Sequence, residues 1–428
     1  MCLLKNLFCT VLLVVSTAVS SFEDPFAELE SATGSLGAGS KKQQQDAMQA
    51  EFLQYKKKVM NEYEAYEKQI LAEYAQYKKE VAKVWGDDKA KLSDKKTWVD
   101  YSAKKTERSL VDFEKGEVTV ELALTPEEAK DPVLVEKKLQ QAVTGIITKP
   151  ADTKSISDLN SAKVQAKSSV KKVMKKAATL ADQIKTDTGK VVTKANVIAF
   201  AKSLLEKKKP VIEKTTGTDG KERVVVKTSF KLVPNHLKKR AEKFREKVAK
   251  EAARQKLDVT LVFSIMQTES HFNPKARSAV PAFGLMQLVP SSGAKDAYLY
   301  LHKEKKVVTD GYLYDEENNI EMGSAYLHIL YYRYLRKVKD KDARLWCAIS
   351  AYNTGVGNVY VAFVGKYQRS VFGSRKKWRN QALAKINSMN SEEVYRYLEK
   401  NLPYEETRHY VQRVRKRMNN YVEWREDV

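Results

Sequence analysis

Ser264 to Pro290 reads SIMQTESHFNPKARSAVPAFGLMQLVP, and the rest of the chain is best read outward from it. Asp258 can cap a helix in which Leu261, Val262, Ile265 and Met266 recur at three and four residues. Glu269 falls on that same face, four residues after Ile265 and three after Met266, so a carboxyl closes an apolar stripe. The pair Asn273-Pro274 predicts the helix end, because a residue before proline disfavours the helical region. A carboxyl among apolar neighbours stays protonated to a higher pH and can serve as a general acid. On position alone, a Glu near a helix end is an ordinary solvated side chain. Its company decides otherwise.

That company is Gly284-Leu285-Met286-Gln287, then Ala351-Tyr352-Asn353-Thr354-Gly355-Val356-Gly357, then Glu406-Thr407-Arg408-His409-Tyr410-Val411. Glu-Ser, G-L-M-Q, A-Y-N-x-G and a late Tyr, in this order, resemble the lytic transglycosylases of peptidoglycan, a lysozyme-like superfamily. Two departures stand out: Pro281-Ala282-Phe283 where the family usually has Gly-Ala before the G-L-M-Q stretch, and Thr354 in place of a common Gly. The resemblance implies a mostly α-helical catalytic domain. It also implies cleavage of the β-1,4 bond between N-acetylmuramic acid and N-acetylglucosamine with closure of a 1,6-anhydro ring. Residue by residue, it implies that Glu269 is the acid and then the base, and that Ser270 lies in the glycan cleft. Met286 would pack its thioether on a sugar face and Gln287 would bond polar substituents. Tyr352 and Asn353 would border the acid and the substrate, and Tyr410 would close the site from the last helix.

Working outward, Met1–Ser21 carries one Lys before an apolar core from Leu7 to Val15 and small residues at Ala18-Val19-Ser20. This reads as an export signal, too short in its core to span a membrane. Cys2 and Cys9 lie before or inside the core, so the expectation is a periplasmic or cell-envelope protein without a lipid anchor; Cys347 is then the one Cys left. Residues 22–46, rich in Gly, Ser and polar side chains, read as a flexible linker.

Residues 47–86 carry an eleven-residue repeat: Phe52, Tyr63, Tyr74 and Trp85; Tyr55, Tyr66 and Tyr77; Val59, Ile70 and Val81. That period predicts one long helix with an aromatic stripe that needs covering, by a partner helix, by its own domain or by a membrane surface. From 87 to 232 the pattern changes. Val118, Val120 and Leu122 alternate with Thr119 and Glu121 behind a Lys115-Gly116 turn, and Asp219-Gly220 precedes a second alternating run from Val224 to Leu232. Helical stretches are expected over about 126–146, 160–186 and 195–207. Trp85-Gly86, Asp112-Phe113, Glu117–Glu121 and Leu232-Val233-Pro234-Asn235-His236-Leu237 resemble the α+β domain that precedes the catalytic domain in the membrane-bound lytic murein transglycosylase C group. The expected fold class is therefore α+β: a long N-terminal helix and an α+β domain, then a mostly helical lysozyme-like domain over 233–428. No chemistry-bearing cluster is visible in residues 22–232, which read as a positioning module.

The balance of 77 Lys+Arg against 54 Asp+Glu gives +23, which suits an acidic envelope surface or any other polyanion. No zinc-finger spacing or aromatic RNA-binding signature makes nucleic acid a specific partner. The five His residues (His236, His271, His302, His328, His409) form no metal or triad spacing, and no phosphate-binding loop is present, so neither cofactor nor metal is implied. Peptidoglycan glycan strands are the expected partner. Two readings stay open beside the transglycosylase: a hydrolase on the same fold, with Asp296, Asp310 or Asp315 as second carboxylate, and a glycan-binding envelope protein without activity.

Overall fold

A computed structural model describes residues 61, 64–65, 67–150, 178–278, 281–304 and 306–427. The expected signal (1–21), linker (22–46), first part of the repeat helix and most of the helix expected over 160–186 lie outside them.

The N-terminal half is built on a five-stranded antiparallel sheet, ordered β1-β2-β3-β5-β4, from β1 (Thr97–Tyr101), β2 (Glu107–Asp112), β3 (Glu117–Leu124), β4 (Val211–Thr216) and β5 (Glu222–Lys231). β3 is central, pairing Val120 with Ser109 of β2 and with Thr228 of β5. Before β1 comes a helix over residues 67–85 (α1); between β3 and β4 come α2 (Pro132–Thr148) and α3 (Val197–Lys207). One sheet face, with Val118, Val120, Leu122 and Phe230, packs on Leu139, Val143 and Ile146 of α2 and Ala201 of α3.

The alternation of Thr119 and Glu121 with Val118, Val120 and Leu122 predicts a half-buried strand, its other face in water. Instead α1 lies on it, with Val81 and Trp85 buried against Ala123 and Val225. Glu121 and Arg108, on that face, are consequently buried and form an ion pair, and the Arg108 guanidinium sits 3.9 Å above the Trp85 ring. The Trp85 indole donates to the Lys105 carbonyl at 2.6 Å. The described part of the aromatic stripe is thus covered by this chain's own sheet. Residues 178–192 are turns, not the end of a helix: Val192 N bonds to the Ile184 carbonyl at 2.9 Å, and Leu180 and Ile184 plug the core. A pair of buried apolar anchors outweighs helical propensity in so short a piece.

The C-terminal half is helical: α4 (His236–Glu242), α5 (Arg245–Gln255), α6 (Val259–Ser270), α7 (Gly293–His302), α8 (Glu316–His328), α9 (Lys341–Thr354), α10 (Val356–Val364), α11 (Arg375–Asn387), α12 (Ser391–Asn401) and α13 (Glu405–Met418), followed by a 3-10 segment Asn419–Asp427. α4 and α5 meet at Lys243-Phe244, and α8 runs on into a π-helical turn, Ile329–Tyr334.

α6 is the axis of this half. Asp258 caps it, accepting from Thr260 N at 2.8 Å. All of its residues are buried, polar ones included, so the stripe read from the sequence is not a boundary between core and water. Phe263 packs between Tyr421 and Trp424, with ring centroids 5.1 and 4.5 Å away, and α5 and α13 lie alongside. The helix ends at Ser270, before the Asn273-Pro274 break, because His271 and Phe272 take left-handed backbone and drive the Phe272 ring into the core.

Arg240 of α4 locks the two halves together. Its guanidinium donates to the carbonyl of His271 at 3.0 Å, to Gln183 Oε1 at 2.8 Å, to His236 Nδ1 at 3.0 Å and to the carbonyl of Phe113 at 2.8 Å. α1 bridges as well: Ile70 is buried in the helical core, and the Arg277 guanidinium lies 3.8 Å over the Tyr74 ring. Among the described residues, no helix is long and apolar enough to cross a membrane.

Candidate active site

Glu269 ends α6 with 5% of its surface exposed. Burial pushes its carboxyl above the ordinary carboxylate range. The Lys95 ammonium and the Tyr410 hydroxyl pull it back down, Glu406 adds to the rise, and Arg413 opposes it. Lys95 Nζ stands 3.8 Å from Glu269 Oε2. The Tyr410 hydroxyl, fully buried on α13, has no partner of good hydrogen-bond geometry among the described residues, yet it lies near enough to act on the carboxyl. Burial, and then the Glu269 charge, hold the Tyr352 and Tyr410 phenols well above their usual range, so both stay neutral.

The loop carrying Gly284-Leu285-Met286-Gln287 is fastened behind this carboxyl. Gly284 has φ +77°, and a Cβ on it would collide with the Leu313 carbonyl and the Asn319 amide. Asn319, fully buried on α8, accepts from Met286 N at 2.8 Å and donates to the carbonyls of Phe283 at 2.9 Å and Leu313 at 2.7 Å. Tyr352 of α9 donates its hydroxyl to the Met286 carbonyl at 2.8 Å, and Ser270 donates to the Leu285 carbonyl at 2.7 Å. α6, α8 and α9 therefore all hold one loop. Asn319 was not singled out in the sequence: it lies in no motif, and a lone Asn inside a helix carries no local signal.

Two expectations need correction. The Met286 side chain does not face a groove; it is fully buried, with its sulfur where a Cβ on Gly323 would stand. The Ser270 hydroxyl is likewise buried and spent on the carbonyls of Met266 and Leu285. A short loop crossing a core must anchor itself with its most apolar side chain, and Met fits the space that Gly323 leaves. Gln287 is placed differently. Its backbone is left-handed (φ 49°), its Nε2 donates to the Gly284 carbonyl at 3.0 Å, and its Oε1 has no partner among the described residues. Asn353 is half-buried, its Oδ1 accepting from Thr407 Oγ1 at 2.7 Å. Glu269, Tyr352, Tyr410 and Lys95 thus converge, with Gln287 and Asn353 on the adjoining loop and helix.

The Asp residues considered as a second carboxylate are otherwise engaged. Asp296 accepts from the Tyr334 hydroxyl at 3.1 Å, Asp310 Oδ1 accepts from Gly311 N at 2.9 Å, and Asp315 caps α8 by accepting from Glu317 and Asn318 N. The carboxylate that acts on Glu269 is Glu406, exposed in the first turn of α13. Among the described residues, no cluster of His, Cys, Asp and Glu could hold a metal ion.

A single desolvated carboxyl at the end of a buried helix, in a helical unit backed by an antiparallel sheet, matches a known pair of domains. Residues 246–371 match the transglycosylase SLT domain, and residues 63–243 match the N-terminal domain of membrane-bound lytic murein transglycosylase C. The chain is 33% identical over 341 residues to the membrane-bound lytic murein transglycosylase C of Edwardsiella ictaluri, covering 79% of this chain and 85% of that one. It is 32% identical over 342 residues to the protein of the same name from Serratia proteamaculans, covering 79% and 86%. Among solved structures, an inactive mutant of the lytic transglycosylase Slt from Pseudomonas aeruginosa is 25% identical with a TM-score of 0.30, over 42% of this chain and 24% of that one. The chain belongs to the membrane-bound lytic murein transglycosylase C family.

Proposed function

We propose that this chain cleaves peptidoglycan glycan strands as a lytic transglycosylase, with Glu269 as acid and then as base. The observation that carries the reading is the buried Glu269 carboxyl, kept protonated by desolvation at the end of α6. In the first half, Glu269 gives its proton to the bridging oxygen. The bond from that oxygen to C1 of N-acetylmuramic acid breaks, and its electron pair leaves with N-acetylglucosamine. In the second half, the Glu269 carboxylate takes the proton of the muramic C6 hydroxyl while the C6 oxygen bonds to C1, which closes the 1,6-anhydro ring and returns Glu269 to its starting form. One carboxyl suffices, since no water has to be activated. Gln287 Oε1 and the Asn353 amide are suited to amide and hydroxyl groups of the sugars, and the neutral Tyr352 and Tyr410 phenols flank the acid. Met286 serves only to hold the loop, its backbone fastened by Tyr352 and Asn319.

The test is the mass of the products. Digested peptidoglycan is expected to release muropeptides lighter by one water than the corresponding lysozyme products; reducing-end products carrying the added water assign the chain to the hydrolases instead.

The reading places the mature protein in the cell envelope. Residues 1–21 act as its export signal, Cys2 and Cys9 carry no lipid, and copies can associate through the repeat region 47–85. Intact-mass and sedimentation measurements on envelope-extracted protein are expected to give an unlipidated N-terminus near Ser20 or Ser21 and more than one copy per particle. Diacylglycerol on a Cys, or a strict monomer, sinks the respective part.

A further inference from the structure

The ion pair made by Glu269 reaches outside the helical half. Lys95 lies on the segment that leads into β1, and its ammonium, 37% exposed, has Glu269 as its one partner among the described residues. The segment is tied down on both sides. Asp94 Oδ1 accepts from Lys96 N at 2.8 Å and Thr97 N at 2.7 Å, and the Ser93 hydroxyl accepts from Val99 N at 2.9 Å. The Tyr74 hydroxyl donates to the Ser93 carbonyl at 3.2 Å. From the other half, Arg277 N donates to the Asp94 carbonyl at 3.4 Å and Asn273 Nδ2 to the Lys95 carbonyl at 3.5 Å. Asn273 and Arg277 belong to the loop that directly follows α6, so the backbone carrying Lys95 and the backbone carrying Glu269 are joined within a few residues of the pair. The contact is built, and it brings a cation up to the carboxyl from a half whose sequence reads as a positioning module.

The groups facing Glu269 come from several elements: Lys95 from the α+β half, Tyr410, Glu406 and Arg413 from α13, and Tyr352 from α9. Lys95 is the cation paired with the carboxyl, and it stands on an element that the helical half cannot supply. We propose that Lys95 is a positioning residue of the active site: its ammonium holds the Glu269 carboxylate oriented in the half of the reaction in which that group is charged and collects the C6 proton. The proposal rests on Glu269 being the acid and base. It makes the α+β half part of the site's wall, so a glycan strand is cut in a cleft that both halves complete.

Lys95→Met and Lys95→Arg in the full chain test this, through kcat and KM on soluble glycan fragments across pH. Lys95→Met is expected to lower kcat about two- to fivefold, the scale of one partly exposed ion pair, with little change in KM. It also moves the alkaline limb of kcat/KM to higher pH, because Glu269 must start protonated and the charge that favoured its anion is gone. Lys95→Arg returns the limb to its wild-type position, and melting temperatures stay together. A wild-type kcat in Lys95→Met overturns the proposal, as does a lower kcat with an unmoved limb or an arginine variant that fails to restore the limb. Glu269→Gln in the same assay separates the two levels. If it is inactive while the Lys95→Met limb stays put, only the role of Lys95 falls; if it is fully active, the reading of Glu269 falls and the role of Lys95 with it.

Discussion

Replacing Glu269 by Gln is expected to reduce glycan cleavage by on the order of a hundredfold or more, while the protein folds as before and still binds glycan strands. Gln keeps the size and hydrogen-bonding atoms of a protonated Glu and removes the proton that both half-reactions use. The same change is expected to be neutral or stabilising at neutral pH. Burial raises the folded-state pKa of Glu269 above its ordinary 4.5, so the folded protein holds this proton more tightly than the unfolded chain. Ionisation therefore works against folding as pH climbs past 4.5, a penalty that Gln lacks, and the stability difference closes as pH falls below that value. Thermal melts at pH 4 and pH 7 beside activity assays read both effects. A loss of activity accompanied by a lower melting temperature at pH 7 shows that Glu269 was holding structure, and the assignment of its chemistry then loses its support.

Arg240→Met is expected to have the largest effect on stability. Arg240 is nearly inaccessible, and methionine would leave the carbonyls of His271 and Phe113 and the Gln183 amide oxygen buried without their donor. Stranding buried acceptors costs about 1–3 kcal/mol each, so about 3–5 kcal/mol in all is a fair scale and a drop in melting temperature on the order of 10 °C follows. Since His271 lies two residues beyond Glu269, cleavage should fall as well. The junction also predicts acid sensitivity. Burial, followed by the Arg240 cation, pushes His236 from 6.5 down to about 4, which leaves its Nδ1 free to accept from Arg240. Burial and neighbouring cations push His271 down to about 3. For bases with lowered folded pKa values, the unfolded chain takes up the protons first, so stability is complete above about 6.5 and drains away as pH falls toward 4 and 3. A melting temperature flat from pH 7 to pH 4, or one unchanged in Arg240→Met, contradicts this account of the junction.

Much of the helical half was legible because its signals are local. Asp258 at the cap, Glu269 at the far end of the same helix, the glycine of the tight G-L-M-Q turn and the A-Y-N stretch each depend on neighbours a few residues away. The strands around Val118–Leu122 and Val224–Leu232 were legible for the same reason: one face of each is apolar at a spacing of two. The reading failed where a second surface arrives from far along the chain. Glu121 looked solvated until α1 lay over its face of the sheet, and 178–186 looked helical until Leu180 and Ile184 were needed in the core. Met286 looked like a groove residue, but Gly323 had left a hole for it.

The division follows from what each level of structure can encode. By itself the sequence determined the family, the carboxyl on which the chemistry is proposed to turn, and the most strongly patterned helices and the two strands at Val118–Leu122 and Val224–Leu232, because caps, turns and hydrophobic periods act within one or two turns of backbone. Only the tertiary structure decided that α6 is buried on every side, that Asn319 and Tyr352 fasten the loop behind Glu269, and that Lys95 from the other half stands 3.8 Å from its carboxyl. Contacts between residues so far apart in the chain leave no period and no spacing; they exist because packing two units together strips water from Glu269 and Arg240 and obliges each to find its partners across the junction.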